Sequence, residues 1–152
     1  MSYLTLSQMK AALPAEITDQ LLDDNGAGVG DAAVWTEIVN TVTQEIDAKV
    51  GQRYTLPISD AQALKLLGDY AFVLAAELLY QRKGFFAAAN PWTARAQSVR
   101  GTQGQQGGQP GALDNIADGS SPLVPNAPRR STPAAAITET TKLVSSQGNN
   151  LC

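Results

Sequence analysis

Few side chains here are of the kinds that do chemistry at neutral pH. The 152 residues include no histidine and a single cysteine, Cys152. Without histidine the chain lacks the commonest general acid–base group and the commonest metal ligand. A lone thiol has no intrachain disulfide partner and builds no cysteine metal cluster. What remains is carboxylates, cations and aromatic rings, and two stretches space them suggestively. In Asp23-Asp24-Asn25-Gly26-Ala27-Gly28-Val29-Gly30-Asp31, the residues Asp23, Asn25, Gly28 and Asp31 fall at positions 1, 3, 6 and 9 of a calcium-binding loop. The match then fails, because Ala27 and Val34 stand where a ligand and a bidentate glutamate are needed. The stretch reads better as a glycine-rich turn ending in a helix cap.

The second stretch is residues 82–100, where Arg82, Lys83, Arg95 and Arg100 are interleaved with Phe85, Phe86 and Trp92. Cations among stacking rings could form a nucleic-acid-binding module. The same residues sit where a helix end, a turn and another helix would place them anyway, so cap and core is the simpler reading. The net charge of −3 also argues against tight, sequence-blind binding to phosphates. Glu45 and Asp47, two apart on a helix, point to different faces and make no paired-carboxylate site. No phosphate-cradling glycine motif is present. The sequence therefore points away from an enzyme and implies no cofactor or metal.

The charge is unevenly placed. Residues 1–47 hold one base against eight acids, residues 48–100 seven bases against three acids, and the remainder three of each. Two readings stay open: chance clustering on a solvated surface, or an acidic half of one subunit meeting the basic half of its neighbour. The latter is a heterologous contact, which builds rings or filaments.

The elements that would position these groups are helical. Thr5-Leu6-Ser7-Gln8 is a capping box with Leu4 and Met9 as its hydrophobic staple, predicting a helix from Leu6. Pro14 breaks it and opens a second short helix with Ile17, Leu21 and Leu22 on one face. Trp35, Ile38, Val39, Val42, Ile46 and Val50 recur at three and four, predicting a helix from Asp31 to Val50 with Trp35 in the core. Gly51 is placed to end it in a left-handed turn. Ser59-Asp60-Ala61-Gln62 reads as a second capping box, opening a helix to Lys83 so apolar around its girth that it should be central. Gly84 closes it. Asn90 and Pro91 open a last helix to about Arg100.

Between the two long helices lies the most distinctive stretch. Glu45-Ile46-Asp47 ends one helix, Arg53 and Tyr54 set a charged and an aromatic side chain at a corner, and Leu56-Pro57-Ile58 reads as an extended strap, because a residue before proline avoids the helical region. A structural pairing of Arg53 with a helix carboxylate is favoured there over catalysis. This order of residues, Glu-Ile-Asp, spacer, Arg-Tyr-x-Leu-Pro-Ile, resembles the signature of small head–tail connector (adaptor, or head-completion) proteins of tailed phages, in the Mu-like branch. The resemblance covers about the first hundred residues, including Tyr3-Leu4-Thr5-Leu6. It implies a ring between portal and tail, twelvefold to match the portal, completing the DNA exit channel, with DNA passing through unread. Implied partners are copies of the chain, the portal protein and tail or stopper proteins; the implied location is the virion neck, after the host cytoplasm.

The expected architecture is all-α: a small bundle of about four to five helices over residues 1–100, then an extended, partner-ordered arm over 101–152. The apolar content suits one domain, without a membrane-length apolar run or a signal segment, so a soluble cytosolic product is expected. All nine aromatic residues precede residue 93, while the last 52 residues carry seven of thirteen glycines and five of eight prolines. Such a segment buries too little apolar surface to order alone. Within it Arg129, Arg130, Ile137, Leu143 and Val144 are the candidate partner-binding residues. Ile137 to Val144 could add a strand to a neighbour's sheet, or be a linker with an incidental threonine cluster. The long Gly/Gln/Pro tail departs from the family's pattern.

Overall fold

A computed structural model describes residues 2–102 and 107–123. These form six α-helices: α1 (Leu6–Ala12), α2 (Ala15–Leu22), α3 (Ala32–Val50), α4 (Ala61–Arg82), α5 (Thr93–Arg100) and α6 (Ala112–Asp118). A 3-10 turn at Ala87–Ala89 precedes α5, and no strand occurs among the described residues. None of the described helices is long and apolar enough to cross a membrane.

The local signals act as capping chemistry requires. Gln8 N–H donates to Thr5 Oγ1 at 3.3 Å while Thr5 N–H donates to Gln8 Oε1 at 2.8 Å, which closes the capping box and leaves Met9 fully buried. Pro14 separates α1 from α2 because it cannot donate to the helical ladder. On α2 the inward face differs from expectation: Ile17 is exposed, and Thr18 takes the buried place. The threonine is tolerated there because its hydroxyl donates to Pro14 O at 3.3 Å. The cap of α4 is also shifted by one. Asp60, not Ser59, accepts from Gln62 and Ala63 N–H, each at 2.9 Å.

α3 and α4 are the central pair. Glu37, near the start of α3, lies 3.9 Å from Arg82 at the end of α4, so the two run antiparallel. α3 buries Trp35, Ile38, Val42, Ile46 and Val50, and α4 buries Leu67, Ala71, Leu74, Ala75 and Leu79. α5 packs on α4, and α2 on both long helices.

The structure moves the boundary of the helical body. Expected to end at Arg100, it continues through α6, which packs on α3 and α5. Leu113, Ile116 and Leu123 all join the core. Fully burying each such side chain is worth about 1.5–3 kcal/mol, which outweighs the glycine-rich composition around it. Antiparallel pairing of Gly101 with Pro110, with Thr102 N–H donating to Gln109 O at 2.9 Å, folds the chain back so that α6 can reach α3.

Candidate functional site

The corner after α3 is where the fold converges, and its side chains reach several elements. The helix phase divides the first three. Ile46 points into the core and is fully buried. Glu45, on a flank, accepts from Arg100 Nε at 2.6 Å and from its Nη2 at 3.2 Å, tying α3 to the end of α5. Asp47, on another flank, accepts from the Tyr3 hydroxyl and so holds the N-terminal segment. Burial, the Asp47 hydrogen bond and the Asp47 charge together push the Tyr3 phenol far above its ordinary value, keeping it the donor.

From Lys49 in the last turn of α3 onward, the same stretch grips α6 and the chain just after it. Lys49 Nζ pairs with the Asp114 carboxylate at 2.5 Å, and Arg53 Nη1 donates to Asp118 O at 3.0 Å. Tyr54, buried to 1% exposure, accepts from Leu123 N–H at 3.0 Å. The expected pairing of Arg53 with a helix carboxylate is thus corrected: the guanidinium lies at the C-terminal end of α6, where a cation meets the negative end of the helix dipole. Gly119 makes room for it. That residue has φ 88°, and a Cβ there would overlap the guanidinium. Gly51 differs from expectation too, having right-handed φ −64° and ψ −14°; the turn is made instead by Tyr54 N–H returning to Val50 O at 2.9 Å.

The strap then returns to the core at Ile58, buried to 3%. Its Leu56–Pro57 bond is cis. Leu56 stands partly exposed between two shallow clefts: one of about 300 Å³ by Gly51, Tyr54 and Thr55, the other of about 380 Å³ by Tyr3, Asp47 and Pro57. In the second cleft the Tyr3 hydroxyl is spent on its hydrogen bond to Asp47. The polar groups described above hold other parts of this chain, as a clamp would.

The basic and aromatic stretch is dismantled in the same way. Arg82 pairs with Asp24, and Lys83 Nζ reaches Asp24 at 3.3 Å and Asp23 O at 2.8 Å. Arg100 lies between Glu45 and the buried Glu77, whose two charges hold its pKa up against the cost of burial. Among the described residues, Arg95 alone of the four cations meets no carboxylate; it stacks over Trp92 at 5.1 Å. Three carboxylates of the acidic front, Asp24, Glu37 and Glu45, therefore meet the basic middle within one subunit, and the nucleic-acid reading loses three of its cations.

The calcium-like loop is likewise self-contained. The Asp23 carboxylate accepts from Asn25 and Ala27 N–H, both at 3.1 Å, and from Gly28 N–H at 2.7 Å, which hold its pKa below 3.8. Asp31 accepts from Ala33 N–H at 2.8 Å as the cap of α3. Among the described residues no cluster of three potential metal ligands occurs.

Sequence reasoning missed Asp114, Leu113, Ile116 and Leu123, and the joint role of Glu77 and Asn90. Leu113 and Ile116 at three apart, with Gly111 before and Gly119 after, were the available signal. Asn90, expected as a helix cap, is buried, accepting from Trp92 N–H at 2.9 Å and donating to Glu77 O at 3.1 Å. Arg129, Arg130, Ile137, Leu143 and Val144 lie outside the described residues.

A family model described as Bacteriophage Mu, Gp36 matches residues 3–140. The chain belongs to this phage Mu family. No curated protein and no solved structure matches it. The family match spans every helix of the body and the corner, and runs well past the first hundred residues that carry the sequence resemblance. The match thus reaches into the Gly/Gln/Pro tail, as far as residue 140.

Proposed function

We propose that this phage protein is a structural head–tail connector, one of a ring of copies between portal and tail that completes the DNA exit channel. The observation that carries the proposal is family membership together with a body whose corner clamps helices instead of reacting. Acids and bases that could have formed a reactive site are committed to intrachain pairs, as Glu45 and Glu77 are to Arg100. The all-helical body suits a unit that repeats around an axis, and the proposal includes that it is not an enzyme. Its partners would be further copies, the portal protein and a tail or stopper protein. DNA would pass without base readout, in weak and salt-sensitive contact with the wall.

The test is to image phage particles that carry the protein with an epitope tag, and to compare particles made without it. Symmetric density and label at the neck, with untailed heads and free tails accumulating in its absence, is the expected outcome. Intact, infective tailed particles lacking the protein would refute the proposal.

A further inference from the structure

Three of the large exposed apolar side chains belong to two loops at one end of the molecule: Val29 at 67% exposure, Phe85 at 46% and Phe86 at 63%. The loops are tied together, since Lys83 at the end of α4 donates to Asp23 O, and Arg82 pairs with Asp24. Slack backbone does not explain the exposure. The first loop is wrapped around the Asp23 carboxylate, and Gly30 N–H donates to Asp19 at 3.2 Å. In the second, Phe85 N–H returns to Tyr80 O at 3.0 Å, and Ala89 and Asn90 N–H close onto Phe86 O and Ala87 O. Ala87 holds φ 49°, a conformation unfavourable for a residue with a side chain. Side chains held in water by so many backbone contacts are preorganised for contact elsewhere.

The rim of this knob is acidic. Asp24, Asp31 and Glu37 surround Arg82, and Asp23 lies beside Lys83. Four carboxylates against two cations leave this rim net negative, although Asp24 pairs with both cations and Asp23 and Asp31 accept from N–H groups of their own loop and helix. Beside the knob on the same chain a cleft of about 280 Å³ is lined by Leu13, Tyr80, Pro91, Trp92 and Arg95, and the Phe85 ring lies edge-on to its Tyr80 at 5.9 Å. It is largely apolar with one cation, Arg95, that no carboxylate among the described residues meets. Phe86 stays out of this cleft in its own subunit, as its exposure shows.

We infer that the acidic-rimmed Phe85–Phe86 knob of one copy seats in the Arg95-edged apolar cleft of the next. Apolar tip meets apolar hole, and the acidic rim meets the cation. The Phe86 tip enters a patch other than itself, and a contact of that kind builds a ring when it is not returned by the same neighbour. This rests on the assembly reading above and specifies which faces of the subunit mate.

The test uses the full chain with a photo-crosslinking benzoyl-phenylalanine in place of Phe86, in a mixture of isotopically light and heavy copies in concentrated solution. Mixed-isotope cross-links from position 86 to Leu13, Pro91, Trp92 or Arg95 are the expected result. Arg95→Glu should lower their yield severalfold, while Arg95→Lys keeps it, and both variants should retain the helical circular dichroism. Mixed-isotope cross-links to a different face overturn this contact but leave the assembly reading standing. Absence of mixed-isotope cross-links overturns the contact; neck density in particle images then decides the assembly reading separately. In assembled particles, capture of another virion protein at position 86 in place of a second copy also overturns it.

Discussion

The phenolic oxygen of Tyr54 accepts the backbone N–H of Leu123 at 3.0 Å, across 69 positions of sequence. The pair is buried, so neither group has water as an alternative. Tyr54→Phe keeps the ring and strands the amide, which should cost about 1–3 kcal/mol. Urea denaturation would read the loss, and amide exchange at Leu123 should quicken before exchange in α3 does.

Truncation tests where the helical body ends. A chain stopping at residue 100 loses α6 and the buried Leu113, Ile116 and Leu123, several kcal/mol out of a domain's usual total of roughly 5–15. It should melt well below a chain stopping at 123, which keeps all the contacts described here. Equal melting temperatures for the two would contradict the place given to α6.

Arg100 has one carboxylate on each side, and Glu77 is the buried one, with 4% of its side chain exposed. Arg100→Leu leaves that charge without its cation and should cost about 3–5 kcal/mol. The double variant Arg100→Leu with Glu77→Leu should recover part of the loss. Strict additivity in the double-mutant cycle would mean the two do not interact.

Acid should loosen α6 early. The Lys49 hydrogen bond, helped by Gly111 N–H, holds the Asp114 carboxyl below its ordinary 3.8. The unfolded chain therefore binds the proton more readily, so this contribution is complete above about pH 4–5 and is lost as pH falls through 3.8 and below. Asp114→Asn should flatten the acid limb of the stability curve. An unchanged limb would assign it to other carboxylates, such as Asp19 or Asp24.

The helices were legible because their signals are local: the Thr5 capping box, the apolar spacing of α3, and Gly84, which has φ 86° after α4. The corner was legible as a place and not as a set of contacts. Nothing near Arg53 in sequence announces a carbonyl 65 positions away. α6 was hidden by composition, because glycine and proline content averages over a window and two well-spaced apolar residues do not change the average. Loop exposure was hidden too. Phe85 and Phe86 belong to residue types usually buried, and only the backbone bonds around Ala87 show that they are held out.

The contacts between corner and C-terminal segment run in matching order: Lys49 with Asp114, Arg53 with Asp118, Tyr54 with Leu123. A pull on the chain beyond Leu123 would therefore meet them one after another, from Tyr54 back to Lys49, before unwinding α6. All three anchor in the last turn of α3 or within four residues of its end, so tension entering from that side is delivered into the longest packed pair of the body, as a mooring line loads a bollard.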